Sequence, residues 1–557
     1  MRMLLSNLNL LANAPGGVAR LRELILTLAV QGKLVPQDAS DEPAEKLLRQ
    51  IRAEKDRLIA EGKIRRDKPL AAIDDEEKPF EVPVGWEWVR FGEASINRDG
   101  ERIPVSSSDR DNLAKIYDYY GASGVIDKID GFLFEKTLLL IGEDGANLIN
   151  RSTPIAFLAH GKYWVNNHAH VIDTTHTGLM NYLALFINAI SLEPYVTGTA
   201  QPKMNQAKLN SIVVPLPPLA EQSRIVTRVE ELMRLCDALE AKGKLEAAQH
   251  AQLVSTLLGT LLESDTPEAL AEHWQRIASH FDLLLDRPQA VDALEQTILQ
   301  LAVRGLLVLQ DPGDEPASAL LQKIRAEKDR LIGEGKIKRD KLLQPITEEE
   351  KSVALPEGWE WVRFGDLVNT SEAGWSPTCI GSPRRSGLWG VLKVSAVSWG
   401  AFDANANKEL PADLSPRPEY EVKDGDFLLS RANTEELVAR SVVVDKTEPR
   451  LMLSDKIIRL DVSSQTNRIF LNLCNNSSQA RVHYIANASG TSSSMKNVSR
   501  EVVLRTPVPL PPLAEQARIV TRVESLRRVC ADLRQRLSAS QHAQAQLAET
   551  LVVQPAG

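Results

Sequence analysis

The chain has 557 residues, 43% hydrophobic and 25% charged, with 66 Lys and Arg against 74 Asp and Glu for a net charge of −8. That length predicts roughly three to five domains of about 150 residues each. No apolar run approaches the ~18 residues of a membrane span, and the acidic balance excludes a protein that holds nucleic acid by bulk electrostatics alone. Four cysteines, Cys236, Cys379, Cys474 and Cys530, lack CxxC spacing. Neither a zinc site nor a disulfide framework is expected, and free thiols fit a reducing cytosol.

In chain order, Asn7, Asn9 and Asn13 interrupt the leucine-rich start, so no signal peptide is expected. LRELILTLAVQGKL at 21–34 and DEPAEKLLRQIRAEKDRLI at 41–59 carry helical apolar spacing, the second opening on Asp-Glu-Pro. Glu54, Lys55, Asp56 and Arg57 read as a solvated face with intrahelical pairs. GWEWVRFG at 85–92 then leads into short β-rich stretches, Thr137–Ile141 and Trp164–Val171, divided by Gly, Asn, Asp and Ser clusters. His168 and His170, two residues apart, would share a strand face, but no Cys, Asp or Glu stands nearby at ligand spacing, so a metal is not expected.

After Pro217 and Pro218, the residues Ile225, Val229, Leu232, Cys236 and Leu239 step by 4, 3, 4 and 3, a heptad seam in which each long helix most simply pairs with the other copy. A helix of about 40 residues would span roughly 60 Å, and Gly243 is expected to weaken or interrupt it. Residues 264–290 read as a connector without a counterpart before residue 21.

The chain then repeats itself. IRAEKDRLI at 51–59 returns at 324–332 and GWEWVRFG returns at 358–365, both displaced by 273. PLPPLAEQSRIVTRVE at 215–230 returns with one change at 509–524, displaced by 294, so the second intervening segment is longer by 294 − 273 = 21 residues. The second seam is Ile519, Val523, Leu526, Cys530, Leu533 and Leu537. Between the repeated blocks the two inserts barely resemble each other, and its β-rich stretches are Asp426–Ser430 and Ser441–Asp445. A retained frame with divergent inserts implies two recognition surfaces on one repeated scaffold. Trp86, Trp88, Trp359 and Trp361, present in both copies, read as anchors of insert to frame. The inserts are close to neutral: residues 97–215 carry 10 Lys and Arg against 12 Asp and Glu, and residues 366–505 carry 17 against 16. GxxxxGK[ST], HExxH, GxSxG and the Asn/Asp-Pro-Pro-Tyr/Phe tetrapeptide are all absent. The chain is expected to bind and position rather than catalyse.

Two pairs of segments carry loop side chains suited to polar contacts with a ligand. GTAQPKMNQAKL at 198–209 and GTSSSMKNVSREV at 490–502 each give a Gly-Thr loop, then Lys and Asn, then a helix start: Thr199, Lys203 and Asn205, and Thr491, Lys496 and Asn497. Free amides there with Lys203 or Lys496 suit a phosphate oxygen. Asn147, Asn150, Arg151, Arg431 and Asn433, in strand-end loops, are of the types that make bidentate contacts to base edges.

LAVQGKLVPQDASDEPAEKLL, RAEKDRLIAEGKIRRDK, VPVGWEWVRFGE and PLPPLAEQSRIVTRVE, with their repeats, resemble the DNA-specificity (S) subunits of Type I restriction-modification systems over nearly the whole chain. The resemblance implies an α/β (α+β) fold: two globular target-recognition domains separated by long antiparallel coiled-coil helices, an internal tandem repeat in a pseudo-twofold arrangement. The expected segments are an N-terminal helical conserved region at 1–83, target-recognition domain 1 at 84–215, a central conserved region at 216–356, target-recognition domain 2 at 357–509 and a C-terminal spacer helix at 510–557. It implies double-stranded DNA, two methyltransferase (M) subunits and motor-nuclease (R) subunits as partners in the cytoplasm, and no membrane. S-adenosylmethionine, ATP and Mg would serve the partner subunits, with no cofactor in this chain. A two-headed DNA-binding regulator working without partners, or a coiled-coil adaptor, would share the duplicated layout; the first should be more basic and carry a helix-turn-helix, and the second would not need two divergent inserts.

Overall fold

The computed structural model describes residues 14–553 apart from 65, 67, 199, 200, 265, 340, 352, 399 and 491–494. It is a mixed helix and sheet fold in two compact units, one holding the chain up to Ala247 together with the part from Ser540 onward, the other Ala248–Ala539. Among the described residues no helix is long and apolar enough to cross a membrane.

The first unit opens with helices α1 (Gly17–Val30) and α2 (Ala44–Ala60). Its insert contains β1 (Glu87–Arg90), β2 (Ile96–Asn97), β3 (Tyr117–Gly121), β4 (Gly124–Ile129), β5 (Leu138–Gly142), β6 (Ala156–Ala159), β7 (Tyr163–Val165) and β8 (Ala169–Asp173). Helices α3 (Thr177–Ala189) and α4 (Gln206–Ser211) and strand β9 (Val213–Leu216) complete it, and α5 (Leu219–Leu262) follows. Strands pair as β2-β8-β5-β6, as β4-β3-β7 and as β1-β9. Antiparallel β1 and β9 set Trp88 opposite Pro215 and so join the two ends of the insert. All five residues of central β5 are buried, which explains its uninterrupted apolar run. The β-rich stretch Trp164–Val171 spans two strands, β7 and β8, parted by a turn at Asn167 and His168.

The second unit carries α6 (Pro267–Ala278) in the connector, then α7 (Pro288–Val303) and α8 (Ala317–Gly333). Its insert runs through β10 (Glu360–Arg363), β11 (Val368–Ala373), β12 (Gly390–Leu392), β13 (Asn407–Glu409), β14 (Phe427–Ser430), β15 (Ala432–Asn433), β16 (Ser441–Val443), β17 (Leu451–Met452) and β18 (Ile457–Val462). Helices α9 (Arg468–Asn476) and α10 (Ser478–Asn487), strand β19 (Lys496–Asn497), helix α11 (Arg500–Leu504), strand β20 (Pro507–Leu510) and helix α12 (Leu513–Val553) end the chain's described part. The sheets read β11-β18-β14-β16, β13-β12-β17 and β10-β20, with β15-β19 added. In both inserts the three-stranded sheet has one antiparallel and one parallel pairing about its middle strand. Inserts that barely resemble each other in sequence therefore share one strand order.

Helices α5 and α12 have 44 and 41 residues, and each begins in one unit and ends in the other. The heptad seams are present. Ile225, Val229 and Cys236 are buried in the first unit's core with Leu21, Leu24 and Leu28 of α1, while Leu232 and Leu239 pack at its edge. Ile519, Val523 and Cys530 are buried with Leu294 and Ile298 of α7 in the second unit's core, with Leu526, Leu533 and Leu537 at the edge. Over these stretches each seam meets the short amphipathic helix of its own repeat, whose apolar residues at i, i+3 or i+4 supply a matching stripe. Gly243 does not interrupt α5. Every residue from Glu240 to Gln249 is exposed, and Lys244 pairs with Glu240 at 2.8 Å. A helix segment exposed all round is supported in water by such i, i+4 pairs, and one glycine costs it only about 1 kcal/mol.

Candidate nucleic-acid interface

Four contacts, each occurring twice, brace the frame and hold the inserts to it. Trp86 Nε1 donates to Glu221 Oε2 at 2.9 Å, and Trp359 Nε1 to Glu515 Oε2 at 3.0 Å, both buried. Burial raises the pKa of Glu221 and Glu515 against the opposing pull of these indole hydrogen bonds. Arg224 pairs with Asp41 at 2.5 Å and Arg518 with Asp314 at 2.6 Å, fixing the start of each long helix to the loop before α2 or α8. Buried Arg90 binds Glu77 at 2.7 Å, and buried Arg363 binds Glu350 at 2.7 Å; the Arg363 hydrogen bond lowers the Glu350 carboxyl to about 2. Lys55 Nζ reaches the Gly92 carbonyl at 2.6 Å, and Lys328 Nζ the Gly365 carbonyl at 2.8 Å. The charged run at 54–57 is thus only partly a solvated face: Glu54 and Arg57 pair on the helix, but Lys55 leaves it for the insert.

On this frame the two groups of candidate residues, distant in sequence, meet. In the first insert the loop after β5 pairs with the Gly198 hairpin through an Asp144–Lys203 bridge, closed by Thr197 and Lys203. In the second, Asn433 lies opposite Lys496 and Ala432 opposite Asn497. Gly198 and Gly490 have φ of 86° and 121°, and an added Cβ would run into the Gln201 and Met495 carbonyl oxygens, so glycine is required at both turns. Thr199 and Thr491 lie outside the described residues.

The side chains divide. Lys203 is half exposed and 3.2 Å from Glu143. Lys496 Nζ donates to the Gly490 carbonyl at 3.1 Å. Asn150 and Arg431 are exposed, and Asn497 is half-buried. Asn147 braces its own loop, with Nδ2 on Thr153 O at 3.0 Å and Oδ1 accepting from Ser152 and Thr153. Asn433 bridges Ser398 Oγ at 2.9 Å and the Thr434 amide. Arg151, at φ 51°, donates to the Ile187 and Ile190 carbonyls and so caps the end of α3. The helix-start amides expected to meet phosphate are taken in part: Asn205 caps Lys208 N and Ser499 caps Val502 N, on helices of six and five residues.

His168 and His170 do not share a face, because the turn at His168 ends the strand period. His168 is exposed, with Nδ1 2.7 Å from Asp144. His170 is buried, its Nδ1 2.6 Å from Asp99 Oδ2 and its Nε2 2.8 Å from the Met204 carbonyl. Burial would raise Asp99, but His170 and Arg102 outweigh it, and its carboxyl lies below the usual range. Arg102 also binds Glu143 at 2.7 Å and the Ala169 carbonyl at 2.7 Å. This buried network beneath the Lys203 hairpin was missed by sequence reasoning, since hydrogen-bonded partners such as His170 and Asp99 lie 71 positions apart. Among the described residues no group of His, Cys, Asp and Glu is placed to hold a metal.

The family model described as the Type I restriction modification DNA specificity domain matches residues 83–250. The chain is 40% identical to the Type I restriction enzyme EcoEI specificity subunit of Escherichia coli over 562 residues, covering 96% of this chain and 93% of that protein. It is 35% identical to the EcoAI specificity subunit of the same organism over 573 residues, with the same coverage. A chain from a solved type I R-M system superposes with a TM-score of 0.47 at 16% identity, covering 86% of this chain and 99% of that one. The chain belongs to the specificity subunits of Type I restriction enzymes.

Proposed function

We propose that this subunit recognises a bipartite, asymmetric DNA sequence, residues 84–215 reading one half-site and residues 357–509 the other through major-groove contacts. The observation that carries this is the pair of inserts: one strand order, with different side chains gathered on the same loop and hairpin. The chain works without catalytic groups of its own, as a cytoplasmic recognition component. Two M subunits, docked on the helical repeats, flip an adenine on each strand and methylate N6 from S-adenosylmethionine. R subunits add ATP-driven translocation and Mg-dependent cleavage of unmethylated DNA. The long helices hold the half-sites apart over a gap that is not read. The net charge of −8 fits a division in which partners neutralise much of the phosphate backbone.

Mapping N6-methyladenine across genomic DNA with and without this gene, with the neighbouring methyltransferase gene intact, tests the reading. Loss of one split, asymmetric motif on deletion is expected. An unchanged methylome in cells expressing both proteins would overturn it and favour a regulator or adaptor.

A further inference from the structure

A cavity of about 590 Å³ in the second unit is bounded by α7, α9, α10, α12 and the loop at 434–440, and Asp292, Glu295, Arg440, Arg481, Arg527 and Arg534 line it. On the α7 wall the charges are matched. Arg534 holds Asp292 at 2.7 Å and also Glu295, and Arg527 Nε lies 3.1 Å from Glu295 Oε1.

The opposite wall differs. Arg481, only 9% exposed, donates to the carbonyls of Val438 and Glu435. Arg440 donates to the carbonyls of Glu436 at 3.3 Å and Asn476 at 3.4 Å. Among the described residues neither guanidinium is hydrogen-bonded to a carboxylate. Burial, with Arg440 beside it, pushes Arg481 down to about 10. Burial also lowers Arg440, and the exposed Glu436 carboxylate at the rim does not offset it. Two partly desolvated like charges that no carboxylate hydrogen-bonds are unfavourable unless a ligand supplies a paired anion, and planar guanidinium forks match the oxygens of a phosphate. The cavity also adjoins the candidate reading loop: Ser398 lines it and accepts the Asn433 hydrogen bond.

We propose that Arg440 and Arg481 receive a backbone phosphate of the DNA beside the half-site read by the second insert. The assignment rests on the recognition reading above. It applies to the second half-site alone, since the residue before β6, where Arg440 precedes β16, is buried Ile155.

The test measures DNA binding against salt for the full chain assembled with its methyltransferase partner, on DNA carrying the mapped motif and on DNA with one half-site altered. One lost phosphate contact makes the slope of log K against log salt shallower by about 0.9. Arg440→Gln should show that change and weaken binding by the same factor on both DNAs, and Arg440→Lys, which keeps the charge, should retain the slope. A wild-type slope in a normally folded Arg440→Gln protein overturns the proposal. So does an equal loss in Arg440→Lys, which would mark Arg440 as a brace of the 434–440 loop. If inorganic phosphate at constant ionic strength raises the melting temperature of the wild type but not of Arg440→Gln, while both bind DNA with one slope, the site takes a free oxyanion and the DNA assignment falls. Failure of the wild type to prefer motif DNA would sink the recognition reading itself, whereas an unchanged slope with preference intact sinks only the phosphate site.

Discussion

The two copies of the frame repeat their contacts almost atom for atom, Trp86 on Glu221 as Trp359 on Glu515 and Arg90 on Glu77 as Arg363 on Glu350, while the two inserts repeat only their strand order. A frame contact must recur because it fixes how an insert leaves the helices. The buried polar residues inside an insert need only satisfy one another, so His170, Asp99 and Arg102 serve the first and Ser441, Asn475 and Tyr484 the second.

One frame contact recurs with its charges exchanged. Arg22 of α1 pairs with Glu240 of α5 at 3.2 Å. At the positions displaced by 273 and 294, Glu295 of α7 pairs with Arg534 of α12. The inversion keeps each short helix complementary to its own long helix, since a helix from one repeat set on the other's partner would bring Arg22 against Arg534 or Glu295 against Glu240.

The largest expected effect comes from removing an anchor. Trp86→Ala or Trp359→Ala empties a buried site and strands a glutamate, and should cost about 3–5 kcal/mol in denaturant unfolding. A clear inequality between the two would break the equivalence of the frames. Within the first insert, His170→Ala should cost about 1–3 kcal/mol and His168→Ala within about 0.5 kcal/mol, measured the same way. The frame also predicts a pH response. The Arg363 hydrogen bond holds the folded Glu350 carboxyl at about 2, below the ordinary 4.5 of a glutamate, so its stabilising contribution is present above 4.5 and lost as pH falls toward 2. Glu350→Gln should flatten thermal stability across that window and leave its slope near neutrality unchanged. The smallest effect is at the inverted pair. Arg22→Glu should lose about 0.2–1 kcal/mol, and adding Glu240→Arg should recover part of it.

Much of this was legible in the sequence. The repeat, its offsets, the long helices and the Trp86 and Trp359 anchors are carried by local pattern and by duplication. The shared strand order was not, because partners such as β5 and β8 are set by contacts between distant segments that unlike sequences satisfy equally well. Gly243 misled, since a solvent-bridging helix tolerates one glycine. Arg151 misled too. An arginine in a strand-end loop offers a guanidinium to a base as readily as to a helix end, and only the position of α3 shows that the Ile187 and Ile190 carbonyls receive it.

The most direct test of two independent readers on one frame is to exchange residues 93–214 for the corresponding insert of another specificity subunit and map methylation. The account predicts a motif with one new half-site, the other half-site and the gap unchanged. A motif altered in both halves, or in neither while the hybrid still supports methylation, would contradict it.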